Sequence, residues 1–209
     1  MDQYRCPTGS QGREVAALMN IEHKALTSWG LTYVDVAIDA VILDVGCGGG
    51  KTINRLAQLT PQGKIFGIDY SADMVKYSKE MNKALVKEGR VEILESSVEK
   101  LSFPDDFFDL VIAVETYYFW SSLPDAFREI KRVLKPNGKL LMVNEVVKDG
   151  VFDVKHADMI KKAHLRLFTL EEIRYMLEAA GFADVQVFTK ADSGWNTIRA
   201  QKPHSPKKA

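Results

Sequence analysis

A chain of 209 residues, 46% of them hydrophobic, has the material for one domain with a substantial core, and 28 basic against 28 acidic side chains leave it with a formal net charge of zero. With no net field to draw a polyanion, nucleic acid is not expected as a partner; no apolar run approaches the length of a membrane span, so no membrane association is expected either. Two cysteines, Cys6 and Cys47, make neither a disulfide framework nor a zinc cluster, no metal site is read, and the absence of a signal-peptide core at the start gives a cytoplasmic expectation. Residues 1–12 mix polar side chains with Pro7, Gly9 and Gly12 and are expected to be mobile or pinned only by a ligand site. Over residues 13–29 the pattern turns helical, Met19, His23, Leu26 and Trp29 stepping by four, three and three along one face, which predicts a helix or two ahead of the first strand.

Residues 41–50 read Val-Ile-Leu-Asp-Val-Gly-Cys-Gly-Gly-Gly. Five β-prone residues running into four glycines in five positions predict a buried parallel strand that ends in a tight turn, and Ile53, Leu56, Ala57 and Leu59 predict a helix immediately after it. Open α/β sheets bind ligands at such a junction. A dinucleotide fingerprint is not met, because the third glycine of Gly-x-Gly-x-x-Gly counted from Gly46 falls on Lys51. Asp44, two residues before the first glycine, would repel a pyrophosphate and attract an ammonium. A ligand with a carboxylate for the N–H groups at the helix start and an α-amino group for Asp44 matches the amino acid end of S-adenosylmethionine. Residues 64–68 form a second strand that ends at Asp69, 19 positions after Gly50, where an acidic side chain takes both ribose hydroxyls. A nicotinamide oxidoreductase is the competing reading of the loop, and it is weakened by Lys51 and Asp44.

Further along, Ser71 is placed to cap a helix in which Met74, Tyr77 and Met81 share a face, ending at Gly89 and Arg90. Residues 91–95 read as the third strand and 108–114 as the fourth, followed by Glu115, Thr116 and the aromatic run Tyr117, Tyr118, Phe119 and Trp120. Ser122 with Asp125 opens a helix carrying Ala126, Phe127, Ile130, Val133 and Leu134, stopped by the turn at Pro136, Asn137 and Gly138. A fifth strand is expected over residues 139–147. Residues 149–168 break the alternation with a helical piece, His156, Met159, Ile160, Ala163 and Leu167 on one side, read as a substrate cap over residues 147–168. Thr169 and Glu172 cap another helix ending at Gly181, and residues 184–189 and 196–202 predict an antiparallel closing hairpin.

Four landmarks in order, Asp-x-Gly-x-Gly-x-Gly at 44–50, Gly-Ile-Asp-Tyr-Ser at 67–71, Phe-Asp-Leu-Val at 108–111 and Leu-Lys-Pro-Asn-Gly-Lys-Leu at 134–140, resemble the class I S-adenosylmethionine-dependent methyltransferases, in the branch of the small-molecule and quinone C-methyltransferases. The resemblance covers roughly residues 40–200. It implies a Rossmann-like, doubly wound, seven-stranded sheet, mostly parallel with an antiparallel last strand. One domain over residues 31–202 would carry an N-terminal helical lid (1–30) and a disordered basic tail (203–209). It also implies a cofactor site made of Asp44, Gly46, Cys47, Gly48, Asp69, Tyr70, Ser71, Met74, Ser97, Val98 and Glu115, with His23 and Trp29 looking in from the lid. The family's usual Asp stands where this chain has Ser97, so the adenine amino group falls to the Ser97 hydroxyl or the Val98 backbone. The Asn/Asp-Pro-Pro-Tyr signature of base and glutamine methylation is replaced by Glu115-Thr116-Tyr117-Tyr118. The acceptor expected is a small, partly apolar molecule. Its proton would go to Glu115, Tyr117, His23 or His164 if one must be removed, with Glu115, Tyr117 and His23 held as the catalytic candidates. A sensor or partner subunit that binds the cofactor without turnover is the alternative, and the sequence is silent on oligomeric state.

Overall fold

The computed structural model describes residues 3–204. Seven strands, β1 (Val41–Val45), β2 (Lys64–Asp69), β3 (Val91–Glu95), β4 (Phe108–Val114), β5 (Leu134–Asn144), β6 (Ala183–Thr189) and β7 (Asn196–Gln201), form one sheet in the order β3-β2-β1-β4-β5-β7-β6. The first five run parallel, and β7 is antiparallel to both β5 and β6. The order turns back between β1 and β4, which makes the crevice beyond their carboxyl ends the switch point. Register keeps those ends level, since Val45 stands beside Ile68 on one side and Ala113 on the other.

Each face of the sheet buries its own cluster, as expected of parallel strands whose side chains are apolar on both sides. On one face Leu43, Val45, Val111 and Leu140 pack with α6 (Leu123–Val133) and α9 (Leu170–Ala179) through Phe127, Ile130, Ile173 and Leu177. On the other, Ile42, Ile65, Ile112 and Leu141 meet α2 (Lys24–Gly30) and α3 (Lys51–Leu59) through Leu26, Ile53 and Leu56. The capping signals act as read. The Ser122 hydroxyl accepts the Asp125 N–H at 3.3 Å, and Thr169 and Glu172 form a reciprocal capping box.

Three element boundaries differ from expectation. The helix after Ser71 is two pieces, α4 (Ala72–Met81) and α5 (Lys83–Lys87), because the Asn82 side chain turns inward and donates to the carbonyls of Gly50 and Ser78, each at 3.0 Å. The fifth strand starts at Leu134 and absorbs the Pro136 to Gly138 turn as a bulge, with Asn137 at φ 66°, and it ends at Asn144, whose amide is tied to Asn196 at 2.9 Å. The helical stretch before Trp29 is two helices meeting at His23, within the expected helix or two, but the first, α1 (Gly9–Glu22), starts four positions before residue 13, ahead of α2. Between β5 and α9 lie α7 (Phe152–Lys155) and α8 (Ala157–Lys162). The expected tail falls, from residue 205 onward, outside the described residues. No helix among the described residues is long and apolar enough to cross a membrane.

Candidate active site

A cavity of about 380 Å³ opens at the switch point, within the range of small-molecule sites. Its floor is the glycine loop. Gly46, Gly48 and Gly50 hold φ of 69°, 47° and 78°, a region that only glycine occupies without strain. At Gly46 the backbone also passes so close to Thr116 that an added Cβ would lie 2.5 Å from its Cγ2. Gly46 and Cys47 donate their N–H groups to Ile68 O, which pins the loop to the end of β2. The Cys47 side chain lies beneath the loop with Sγ 3.8 Å from Ser78 Oγ, and burial pushes its thiol up, so the residue offers backbone rather than a reactive sulfur. Gly50 caps α3 without a side chain, and the first N–H groups of a helix have no carbonyl one turn before them.

Asp44, Asp69 and Arg55 mark the cavity's polar end. Asp44 is 1% exposed, its Oδ2 has no partner, and burial followed by the charge of Asp69 raises its carboxyl to about 8. Asp69 accepts the Gly48 N–H on one oxygen and the Ser71 N–H on the other, both at 2.9 Å, and burial leaves it above the usual carboxylate range despite those bonds. Arg55, on the cavity side of α3, has a buried Nη2 that also lacks a partner.

Beyond Asp69 the wall continues through Tyr70, Met74, Ser97 and Val98. Met74 is fully buried, whereas Tyr70 is 48% exposed. Ser71 turns away from the wall and donates its hydroxyl to Pro7 O at 2.8 Å, fastening the N-terminal segment to the start of α4. Ser97 donates its hydroxyl to the carboxylate of Glu99, which also accepts the Ser121 N–H at 2.6 Å, so the loops after β3 and β4 are joined at this corner.

The other end lies past β4. Glu115 sits at φ 56°, and one of its oxygens accepts the Tyr118 hydroxyl at 3.1 Å and the N–H of Glu145, the residue after β5. Burial raises the Glu115 carboxyl to about 8. His23 reaches the same place from the α1–α2 junction. A ring nitrogen of His23 and one oxygen each of Glu115 and Glu145 all lie within 4.8 Å of one another. Three expected contributors are elsewhere. Tyr117 is wholly buried in the core against Tyr118, ring centroids 4.2 Å apart, and does not line the cavity; the 3-10 turn over residues 117–119 presents Tyr118 instead. Trp29 packs on Tyr33 and Trp195 at 5.2 and 6.2 Å, and His164 is exposed on the surface.

Residues 43–142 match the family model described as a methyltransferase domain. The chain is 32% identical over 168 residues to malonyl-[acyl-carrier protein] O-methyltransferase of Geobacter sulfurreducens, covering 76% of this chain and 61% of that protein. It is 34% identical over 103 residues to the ubiquinone/menaquinone C-methyltransferase UbiE of Pseudomonas savastanoi, 49% of this chain and 40% of that one. The chain carries a methyltransferase domain. It spans about three-fifths of the first relative's length and two-fifths of the second's. Its fold is that of the putative methyltransferase solved in complex with the Trm112 activator from Haloferax volcanii, at TM-score 0.81 and 20% identity over 98% of this chain and 99% of that one. It is also that of phosphoethanolamine N-methyltransferase 2 of Haemonchus contortus with S-adenosyl-L-methionine bound, at TM-score 0.75 and 19% identity over 87% of this chain and 53% of that one.

Three residues on the cavity wall escape a reading of sequence alone. Arg55 looks like one polar residue on an amphipathic helix, and only its spacing of three from Thr52, which shares the wall, hints at a common face. Glu99 lies two positions past the Ser97 that breaks the family pattern. Glu145 is hidden by the overlong fifth strand, whose true end at Asn144 frees the next side chain to face the switch point.

Proposed function

We propose that the chain moves a methyl group from S-adenosylmethionine to a small, partly apolar acceptor by in-line displacement. The supporting observation is that Asp44, a buried carboxyl with an unpartnered oxygen, and Asp69 open onto one cavity from either side of the glycine loop. In this reading Asp44 holds the α-ammonium, the α3 N-terminus and Arg55 hold the carboxylate, and Asp69 holds the ribose hydroxyls. Tyr70, Met74 and Val98 flank the adenine, and the Ser97–Glu99 pair stands in for the family's Asp as acceptor for its amino group. Ser71 serves by fixing Asp69 and the N-terminal segment rather than by contact.

When bound, the sulfonium supplies an activated methyl carbon; the chain's own part is placement and exclusion of water, worth on the order of 7 to 11 kcal/mol. Residues 1–30 act as the lid, contributing Pro7, Ala16, Met19 and Thr27 to the cavity wall, and residues 147–168 act as the cap through Met159, Ala163 and Leu165. The two segments meet where Lys162 lies 5.7 Å from the Tyr4 ring centroid. Phe119, Trp120 and Leu165 make the acceptor's end apolar. Calorimetry with S-adenosylmethionine and with a nicotinamide cofactor, followed by radiolabelled methyl transfer into a metabolite extract, tests this. Binding of the first cofactor with label incorporated supports the enzyme; binding without transfer in the extract, alone or with a cell lysate added to supply an activator protein, gives the non-catalytic binder instead.

A further inference from the structure

We infer that His23 is the general base for methyl transfer, so that the acceptor is a weakly acidic oxygen or carbon, a phenol, hydroquinone or 1,3-dicarbonyl, that must lose a proton as the new bond forms. The inference rests on the cofactor site proposed above and adds the acceptor class to it.

His23 is held from both sides of the helix junction. Its N–H donates to Met19 O at 2.9 Å, while its carbonyl accepts the Thr27 N–H at 2.9 Å and the Thr27 hydroxyl at 2.7 Å. The backbone at the junction is fixed in this way, and the ring it carries meets Glu115 from the end of β4 and Glu145 from the end of β5, three groups converging on one place. Asp44 and Asp69, at the cofactor's proposed amino and ribose ends, lie on β1 and β2; the β4 and β5 ends face what remains of the cavity, where an acceptor has room beside the apolar wall.

The electrostatics suit a base. Burial pulls the imidazole below its ordinary value, against the opposing carboxylates of Glu145 and of Glu22 on its own helix, so the ring is neutral at pH 7. Glu115 keeps its proton to about pH 8, and one of its oxygens is already engaged by Tyr118 and by the Glu145 N–H. That leaves one charged carboxylate beside one neutral ring, a pair that receives a proton, and a poor cage for a divalent ion. The other acidic and basic side chains on the cavity wall are Arg5, Glu22, Asp44, Arg55, Asp69 and Glu99. The step balances without a further reactant. The acceptor's hydrogen passes to the free ring nitrogen of His23, the acceptor's electron pair takes the methyl carbon, and the carbon–sulfur pair stays on sulfur as a neutral thioether. The imidazolium, facing Glu145, then gives its proton to water.

The test uses the purified chain, its H23Q and E145Q variants, and a panel of phenols, hydroquinones and 1,3-diketones. Calorimetry with S-adenosylmethionine comes first; failure of the wild type to bind removes the cofactor reading itself. With binding intact in all three, H23Q is expected to lower kcat/KM at pH 7 by about 100-fold or more and to abolish the acidic limb of the pH profile. Toward pentafluorophenol, already ionised at neutral pH, the loss should shrink to less than about threefold, since no proton need be removed. Independently of turnover, NMR titration of the ring should show the His23 pKa falling in E145Q while the other histidines stay put. Equal losses toward protonated and ionised acceptors, an unchanged acidic limb, a panel in which nothing is methylated, an E145Q variant with an unmoved His23 titration, or a rate governed by added divalent metal would each overturn the inference.

Discussion

Replacing Asp44 by Asn should make the protein more stable and unable to bind its cofactor. Asp44 is 1% exposed, with one oxygen unpartnered, and its carboxyl is raised from 3.8 to about 8, first by burial and then by Asp69. Because the folded value lies above the unfolded one, its favourable contribution is complete below pH 3.8 and drains away as pH rises toward 8. By pH 7 roughly three units of that window have been crossed at about 1.4 kcal/mol each, so the ionisable side chain costs on the order of 4 kcal/mol there. Asparagine is nearly isosteric, stays neutral, and carries none of that cost. With about 2 to 4 °C per kcal/mol for a chain of this size, D44N should melt roughly 8 to 16 °C above wild type at pH 7 without ligand, the difference closing near pH 4.

With S-adenosylmethionine at about 100 times its dissociation constant the wild type gains about 2.7 kcal/mol, and D44N should gain nothing, having lost the charge that holds the ammonium. Since the wild-type carboxyl is protonated before binding and ionised after it, calorimetry in buffers of different ionisation enthalpy should show about one proton released per cofactor at pH 7. The assays are scanning calorimetry from pH 4 to 8 and titration calorimetry at pH 7. A D44N variant that melts at or below wild type at pH 7, or that still binds the cofactor, refutes the assignment of Asp44 as a buried carboxyl kept for an ammonium.

Asp69→Ala removes the proposed diol acceptor together with the partner of the Gly48 and Ser71 N–H groups, and should weaken cofactor binding at least about 100-fold while leaving the far-UV spectrum unchanged. Gly46→Val should do as much through the loop, its side chain driven into Thr116 from a backbone at φ 69°; unaltered calorimetric affinity in either variant contradicts the site. Arg55→Met should weaken S-adenosylmethionine and its thioether product alike, by about tenfold, yet leave the affinity for decarboxylated S-adenosylmethionine unchanged; an equal loss for the decarboxylated analogue would show that Arg55 does not hold a carboxylate. Tyr118→Phe cuts the bonds to Glu115 and Val146 O and should lower the melting temperature and activity together, whereas Tyr117→Phe, which deletes a hydroxyl buried away from the cavity, should leave activity within about twofold. Reversed effects would return Tyr117 to the cavity.

What could be read from sequence was whatever is written in local chemistry. The glycine loop, the acid ending β2 and the caps at Ser71, Ser122 and Thr169 each state their role within a few residues, because positive φ, an orphan helix N–H or a strand's alternation leaves few alternatives. Tyr117 was indistinguishable from Tyr118 on that basis. The two are neighbours in one aromatic run, and which ring meets the cavity depends on the 3-10 turn that follows Glu115 at φ 56°, a conformation no residue type there announces. Trp29 followed the stripe of His23 correctly as far as Leu26. It then parted from the cavity because the Trp29 ring packs on Tyr33 and on Trp195, the latter a contact made across 166 positions. Glu145, Arg55 and Glu99 share a different reason. A charged side chain in sequence is most often solvated, and nothing local separates one facing water from one facing a cavity. Only the level register of β1, β4 and β5 brings Glu145 to Glu115, and only the α1–α2 junction brings His23 to both. The cofactor's polar handles lie on single strand ends and are legible one at a time, whereas the proposed acceptor chemistry is assembled from three elements and exists only once the sheet has formed.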